Sequence, residues 1–225
     1  MITVTILVLN LFLSVMICVA QDADFVPLFD GKTLDGWEGE VEGYEVKDGL
    51  LVCRPGASGK LLTEQEFSDF DLRFEFLLAP DANNGVAIRA PLEGDAAYEG
   101  MEVQILDNET KKYGELLDFQ FHGSLYGIAP ALRGYLKPAG EWNQEEIHCQ
   151  GRHVTVTLNG TKILDVNLDE VAPNGVTVDK KEHPGLKRTS GRVGFLSHGD
   201  EVSFRNIEIR DNSQAATAKS ATLPQ

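Results

Sequence analysis

The sequence predicts an all-β protein built as an antiparallel β-sandwich. About ten short runs alternate apolar and polar residues, which is the pattern of strands with one buried face. Gly, Asn and Asp stand between these runs at the spacing of tight turns. No stretch shows the periodicity of a long amphipathic helix. A chain of 225 residues suits one such domain.

The predicted strands follow one another along the chain. Residues 44–54 predict a hairpin, because Asp48-Gly49 accepts the positive φ angles of a two-residue turn. Residues 71–78 direct four apolar side chains to one face, namely Leu72, Phe74, Phe76 and Leu78. Further strands are predicted at residues 84–90, 101–107, 145–150, 153–168 (around Asn159-Gly160) and 192–210 (around Gly199-Asp200).

Two long segments interrupt this rhythm. Residues 108–132 are polar at first and then aromatic, which predicts a loop at the mouth of a cleft. Residues 169–190 are a second long connection, rich in Lys. Residues 213–225 lack apolar periodicity and predict a disordered tail, so the folded domain is expected to cover residues 21–212.

Residues 1–20 predict a signal peptide. They contain no charged side chain, and Cys18 and Ala20 put small residues third and first before a cut after Ala20. An uncleaved anchor is the alternative, because about 20 apolar residues just span a bilayer. Cleavage would give an exported protein, periplasmic or extracellular, that is not attached to a membrane.

The formal net charge of −15 bears on the expected partners. Nucleic acids and anionic membranes require basic surfaces, so this acidic chain is not expected to bind them. A neutral sugar or another uncharged ligand fits better. The sequence leaves the oligomeric state open.

Two cysteines, Cys53 and Cys149, remain after the predicted cut. An oxidising compartment permits a disulfide between them, and two buried free thiols are the equal alternative. Their spacing is not that of a zinc site.

The segment YEGMEVQILD, residues 98–107, is the strongest functional signal. Side chains alternate along a strand, so Glu102 and Gln104 point to one face while Val103 and Ile105 point into a core. A polar row opposite an apolar row is how a sheet forms a sugar-binding cleft on one face. The same pattern also fits an amphipathic strand with a solvated outer face.

Eight short motifs occur in series: LFDGKTLDGW (28–37), SDFDLRFEF (68–76), NNGVAIR (83–89), YEGMEVQILD (98–107), GSLYGIAP (123–130), KPAGEWN (137–143), LNG (158–160) and HGDEVSFRNIEIR (198–210). Together they closely resemble the 3-keto-disaccharide hydrolase domain family over residues 25–211. The resemblance implies a concanavalin-like jelly roll, an exported bacterial protein, and hydrolysis of glycosides whose sugar carries a ketone at carbon 3. Many relatives have Gln-Asp before the His-Gly of the penultimate strand, where this chain has Leu196 and Ser197, so sugar contacts there are not carried over.

A ketone at carbon 3 acidifies the proton on carbon 2, and its removal lets the carbon 1 substituent leave before water adds to the enone. This route needs a base, an acid and a donor for the enolate oxygen. Glu102 is the expected base, and His198, beside Gly199, is expected on the family pattern to share the acid–base work. Arg89 is expected to hold the enolate or pair with Glu102. Gln104 is expected to bind a sugar hydroxyl or polarise the ketone.

Three further residues are expected to bind the sugar. Tyr126 and Trp142 offer aromatic faces for stacking, although Trp142 equally fits a core or edge position. Asp107 faces the opposite side of a regular strand from Glu102, so it reaches the site only through a bulge. Such a bulge would also permit a retaining double displacement, which needs two carboxyl groups about 5–5.5 Å apart. His122, on the first long loop, also fits the lining of the cleft.

No cofactor is predicted. The chain has no EF-hand, HExxH or CxxC spacing, and its Gly-containing segments do not form a phosphate loop. Glu102, Asp107 and His198 leave open a mixed oxygen and nitrogen site for a divalent cation such as calcium. Two rivals to the hydrolase remain, a non-catalytic carbohydrate-binding module on the same fold and a structural or partner-binding domain.

Overall fold

Two antiparallel β-sheets pack face to face in the computed structural model, which confirms the predicted all-β sandwich. The structure describes residues 24–213. The signal peptide predicted at residues 1–20 lies outside the described residues, and so does the tail predicted at 213–225 except for Ser213. No helix within residues 24–213 is long and apolar enough to cross a membrane.

The described part of the chain contains thirteen strands. In chain order they are β1 (Val26–Pro27), β2 (Trp37–Gly39), β3 (Tyr44–Lys47), β4 (Leu50–Cys53), β5 (Ser58–Thr63), β6 (Phe70–Leu78), β7 (Asn83–Ala90), β8 (Met101–Leu106), β9 (Trp142–Gln150), β10 (His153–Leu158), β11 (Thr161–Asn167), β12 (Arg192–His198) and β13 (Val202–Asp211). The helices are single turns, α1 (Ala96–Glu99) and α2 (Leu168–Val171). Short 3-10 turns at Val41–Gly43, Asp118–Gln120, Pro173–Gly175 and Pro184–Lys187 lie in the connections.

The larger sheet has eight strands, in the order β11-β10-β9-β6-β13-β4-β3 with β1 also paired to β13. The smaller sheet has five strands, in the order β2-β5-β12-β7-β8. In the smaller sheet β12 lies beside β5 and β7, far from them in sequence. The topology therefore brings residues near position 198 next to residues near positions 85 and 102.

Two of the three predicted hairpins form around the turn residues that predicted them. Asp48 and Gly49 adopt φ angles of 52° and 80° between β3 and β4. Asn159 and Gly160 adopt 50° and 83° between β10 and β11. The third prediction, a hairpin over residues 192–210, is wrong: Gly199 adopts 89° in a turn, but β12 belongs to the smaller sheet and β13 to the larger, so the chain crosses between the sheets there. Gly and, less readily, Asn and Asp tolerate this left-handed backbone, which is why the dipeptides locate the turns.

Aromatic side chains fill the core between the sheets. Phe195 of β12 stacks on Phe204 of β13 with ring centroids 3.9 Å apart, and Phe74 of β6 meets Phe195 edge-on at 5.8 Å. The apolar row predicted on residues 71–78 is buried as expected, with Leu72, Phe74, Phe76 and Leu78 all in the core. Each such ring pair contributes roughly 0.5–1.5 kcal/mol beyond its buried area, so these contacts help to hold the two sheets together.

Cys53 on β4 and Cys149 on β9 are buried free thiols. The strands β13 and β6 separate them in the larger sheet, so the two sulfurs do not meet. Burial raises the pKa of Cys149 to about 12 and also raises the pKa of Cys53. Of the two alternatives left open by the sequence, the structure has the free thiols.

Candidate active site

A cleft of about 320 Å³ opens on the outer face of the smaller sheet, above β7, β8 and β12. It is lined by Asn83, Asp95, Ala97, Tyr98, Glu102, Gln104, Leu106, Tyr113, Leu116, Gln120, Tyr126 and His198. Four of the residues predicted from the sequence meet here, namely Glu102, Gln104, Tyr126 and His198.

Glu102 occupies the floor of this cleft. Its side chain leaves the outer face of β8, as the alternation predicts, and only 3% of the residue is exposed. The carboxylate lies across Gly85 of β7, because a Cβ on Gly85 would stand 1.9 Å from Glu102 Oε1. That oxygen is 3.6 Å from His198 Nε2, beyond hydrogen-bond distance, and has no hydrogen-bond partner within residues 24–213. The site therefore holds a buried carboxylate with an unused acceptor next to an imidazole.

Burial and the contact between the two side chains shift the pKa values of both Glu102 and His198. Burial raises the pKa of Glu102 above its ordinary value of 4.5, and His198 offsets only part of this effect. The Glu102 carboxylate in turn raises the pKa of His198 above its ordinary value of 6.5. The His198 side chain remains 44% exposed, so it can reach a ligand. A base that is easily protonated beside an available acid is the arrangement of general acid–base catalysis.

Gly85→Ala is expected to separate this pair. The added methyl group would occupy the space of Glu102 Oε1, so the carboxylate must turn away from β7. The pKa of His198 should then fall toward its ordinary value, because its raising depends on Glu102. NMR titration of the His198 ring would measure the shift, with Glu102→Gln giving the value for complete loss of the charge. An unchanged His198 titration in a folded Gly85→Ala protein would contradict the described placement of the carboxylate.

Gln104 lies one position further along the same face of β8. Its Nε2 donates to Asn83 Oδ1 at 2.9 Å, and the Asn83 backbone N–H donates to the Asp200 carboxylate at 3.0 Å. This chain of contacts fixes the amide of Gln104 toward the cleft. Gln104 is therefore placed to bind a polar group of a ligand, as its position in the sequence suggests.

The loop predicted at residues 108–132 runs beside β8 and forms one wall of the cleft. The backbone N–H of Gly123 donates to Gln104 O, and that of Tyr126 donates to Glu102 O, both at 2.8 Å. These bonds bring the Tyr126 ring to the cleft, where Phe119 meets it edge-on at 5.6 Å. The loop thus has the position expected from its length and composition.

Arg89 does not reach the cleft, which corrects the expectation that it holds an enolate. Its residue is 1% exposed, and its guanidinium donates to the carbonyls of Ser68 and Gly151 and contacts Asp69. The cause is a bulge in the pairing of β7 with β12, where Arg89 adopts a φ of 50°. The prediction rested on the strand end and the family pattern, and the bulge directs the side chain away from the cleft.

Asp107 and Trp142 also lie outside the cleft. The pairing of β7 with β8 has no bulge, and the Asp107 carboxylate accepts the backbone N–H groups of Asp81 and Glu109. Trp142 begins β9 of the larger sheet, where the Arg205 guanidinium covers its ring at 4.0 Å. Neither residue is placed to contact a sugar in this cleft, and the second carboxylate of a retaining mechanism is not supplied by Asp107.

His122 points into the core instead of lining the cleft. Its Nε2 lies 2.9 Å from Glu145 Oε2, and the two side chains are 1% and 0% exposed. Its ring packs against Phe76 with centroids 5.1 Å apart. This buried pair joins the cleft loop to β9 of the opposite sheet.

The side chains of Leu196 and Ser197 point to opposite faces of β12. Leu196 packs on the outer face with Leu62, Ala87 and Ala96, and Ser197 points inward, where it accepts from Cys53 Sγ at 3.0 Å. Neither lines the cleft, although Leu196 pairs with Gly85 on the same outer face of the sheet as Glu102.

The sequence left open a cation site formed by Glu102, Asp107 and His198. Within residues 24–213 no group of three or more His, Cys, Asp or Glu is arranged to hold a metal ion. Asp107, one of the three residues considered for a mixed site, is engaged by backbone N–H groups at the end of β8.

The chain matches the model of the 3-keto-alpha-glucoside-1,2-lyase-like domain over residues 24–210. The chain belongs to this family. The resemblance stated from the eight motifs is therefore confirmed. A 3-keto-disaccharide hydrolase of Bacteroides thetaiotaomicron is 27% identical, and the match covers 84% of this chain and 79% of that protein.

Two solved structures have the same fold as this chain. Both are described as putative glycosyl hydrolases of Parabacteroides distasonis. The first is 29% identical to this chain, with a TM-score of 0.73, and the match covers 83% of this chain and 98% of that protein. The other has a TM-score of 0.72 at 25% identity and covers 84% of this chain and 94% of its own. The sandwich is thus shared across nearly the whole length of these proteins.

Several cleft residues are not among those predicted from the sequence. Tyr98 lies on α1, ahead of β8, at the cleft wall. Asn83 and Gly85 belong to the NNGVAIR motif, yet their importance follows from contacts with β8. His183 is buried and packs against the ring of Tyr98. The family motifs are the signal that contained Asn83, Gly85 and Tyr98.

Proposed function

We propose that this chain hydrolyses 3-keto-glycosides. The observation that supports this best is the Glu102–His198 pair, a buried carboxylate with an unpartnered oxygen beside a partly exposed imidazole in one cleft. The family and the name of the Bacteroides relative supply the substrate class, a sugar with a ketone at carbon 3. The signal peptide predicted at residues 1–20 supports an activity outside the cytoplasm.

The reaction begins with Glu102 as the base. Its carboxylate takes the proton from carbon 2, the C–H electron pair forms a double bond between carbons 2 and 3, and the ketone oxygen becomes an enolate. The enolate then re-forms the ketone while a double bond forms between carbons 1 and 2. The bond from carbon 1 to the aglycone oxygen breaks, and protonated His198 gives its proton to that oxygen.

Hydration completes the cycle. Neutral His198 takes a proton from water as the water oxygen adds to carbon 1, and Glu102 returns its proton to carbon 2. Both side chains end in their starting states, and the net change is hydrolysis of one glycosidic bond. The raised pKa of Glu102 favours return of its proton to carbon 2, and the raised pKa of His198 keeps its acid form available to higher pH.

Release of aglycone from 3-keto-trehalose or a 3-keto-glucoside is the direct test. The protein without residues 1–20 is expected to release the aglycone and to leave unoxidised trehalose intact, since only the ketone acidifies carbon 2. No release from several 3-keto-glycosides, together with saturable binding of ordinary glycans, would instead support the carbohydrate-binding module.

A further inference from the structure

The proposed reaction needs a donor for the enolate oxygen, and Arg89 is not available for this role. The lining of the cleft contains a second candidate, the hydroxyl of Tyr98. This residue lies on α1, whose first turn is capped by Asp95 accepting the Ala97 N–H at 3.0 Å. The inference drawn from it rests on the proposed function and names the group that stabilises the enolate.

Both ends of the Tyr98 side chain are held by the segment 177–183. The ring packs against His183 with centroids 4.6 Å apart. The hydroxyl oxygen accepts a hydrogen bond from Lys181 Nζ at 2.9 Å. Because the oxygen accepts from Lys181, its own O–H is left to donate to a ligand.

A buried hub positions Lys181 although its own side chain is exposed. The Asp179 carboxylate accepts the Lys181 backbone N–H at 3.0 Å and the Thr177 hydroxyl at 2.8 Å. The same carboxylate lies 3.1 Å from His183 Nε2, and Asp179 and His183 side chains are 4% and 0% exposed. The loop is thus fixed on both sides of Lys181, and the reach of its ammonium to Tyr98 is built into the fold.

The positive charge of Lys181 differs from that of Lys112 in having no carboxylate partner among the described residues. Lys112, at the other end of the cleft, lies 2.6 Å from the Asp200 carboxylate. Lys181 forms no ion pair with a carboxylate among the described residues; its contact is the neutral Tyr98 hydroxyl. In a chain of net charge −15, an unpaired cation held against a cleft residue is a place for developing negative charge.

We propose that the Tyr98 hydroxyl donates to the carbon 3 oxygen as it becomes an enolate, and that Lys181 positions and polarises this hydroxyl. Tyr98 would be a catalytic residue and Lys181 a positioning residue. No bond to the protein forms in this step. The Tyr98 O–H shortens its hydrogen bond to the oxygen as charge grows, while the carbon 2 proton goes to Glu102.

Tyr98→Phe and Lys181→Met test the two roles. Tyr98→Phe keeps the ring against His183 and removes only the hydroxyl. Lys181→Met removes the charge with little change in size. Lys181→Arg keeps the positive charge and should therefore retain part of the activity that Lys181→Met loses. Lys180→Met is the matched control, because Lys180 is exposed on the same loop and its loss changes the net charge equally.

Two rates measured on one 3-keto-glucoside separate the possible roles. Exchange of the carbon 2 proton with D₂O reports enolate formation, and aglycone release reports the whole reaction. Loss of an oxyanion donor typically costs about 10²–10³-fold, so Tyr98→Phe should lower both rates by this factor. Lys181→Met should lower both by roughly 10-fold or more, in kcat rather than KM, with Lys180→Met unchanged.

The outcomes are distinct. An active wild type with Tyr98→Phe at full rate would overturn this inference and leave the proposed function standing. Normal exchange with slow release would place Tyr98 at the leaving oxygen and also overturn it. A wild type that neither exchanges nor releases on any 3-keto-glycoside would overturn the proposed function and the inference together.

Discussion

Glu102→Gln is expected to lower the rate of aglycone release by roughly 10²–10⁴-fold, the usual contribution of a general base. The amide has nearly the same shape, so it can lie over Gly85 as the carboxylate does, but it cannot accept the carbon 2 proton. Steady-state kinetics on a 3-keto-glucoside would measure the loss, and exchange of the carbon 2 proton in D₂O should fall with it. Substrate affinity should change little.

Glu93→Gln provides the control for this substitution. Glu93 is an exposed carboxylate in the connection between β7 and α1, and its loss changes the net charge by the same amount. It should leave the rates unchanged. Full activity of Glu102→Gln would exclude Glu102 as the base and with it the mechanism proposed above.

The pH profile of the wild type follows from the same pair. Glu102 must be ionised to act as base, and burial raises its pKa, so the acid limb of kcat should lie above pH 4.5. His198 must be protonated to act as acid, and Glu102 raises its pKa, so activity should decline only above pH 6.5. The residual activity of Glu102→Gln should no longer fall on the acid side of the profile, because glutamine does not titrate.

The elements that the sequence predicts well are those governed by local rules. Alternation along β6 and β8 placed Phe74 in the core and Glu102 on the outer face, because each strand is regularly paired. The hairpin turns followed from residues that tolerate positive φ angles. The sequence could not show that Glu102 and His198 meet, since strand order in the smaller sheet depends on tertiary packing.

The errors arose where one residue breaks a local rule or where contacts join distant segments. Arg89 was expected in the cleft because it ends the strand before β8 and belongs to a family motif, and a bulge at that residue buries its side chain away from the cleft. Trp142 was placed by motif alone, without knowledge of which sheet contains its strand. Lys181 and His183 lie in a loop without periodicity, so only the folded chain shows that they hold Tyr98.

The buried pair of His122 and Glu145 is expected to have the largest effect on stability. The two side chains are removed from water and face each other at 2.9 Å. His122→Leu would leave the Glu145 carboxyl group buried without a polar neighbour, and leaving a buried polar group unsatisfied costs about 1–3 kcal/mol of unfolding free energy. Chemical denaturation followed by circular dichroism would measure this difference.

The double variant His122→Leu/Glu145→Met separates the pair from the packing around it. Replacing both partners of a buried polar contact by apolar residues of similar shape is often close to neutral, so the double variant should recover most of the stability lost by His122→Leu. Equal and additive losses from the two substitutions would show that the side chains contribute only packing. Because His122 belongs to the loop that bonds to Gln104 and Glu102, the single variant should also speed hydrogen exchange at Gly123 and Tyr126, and the double variant should not.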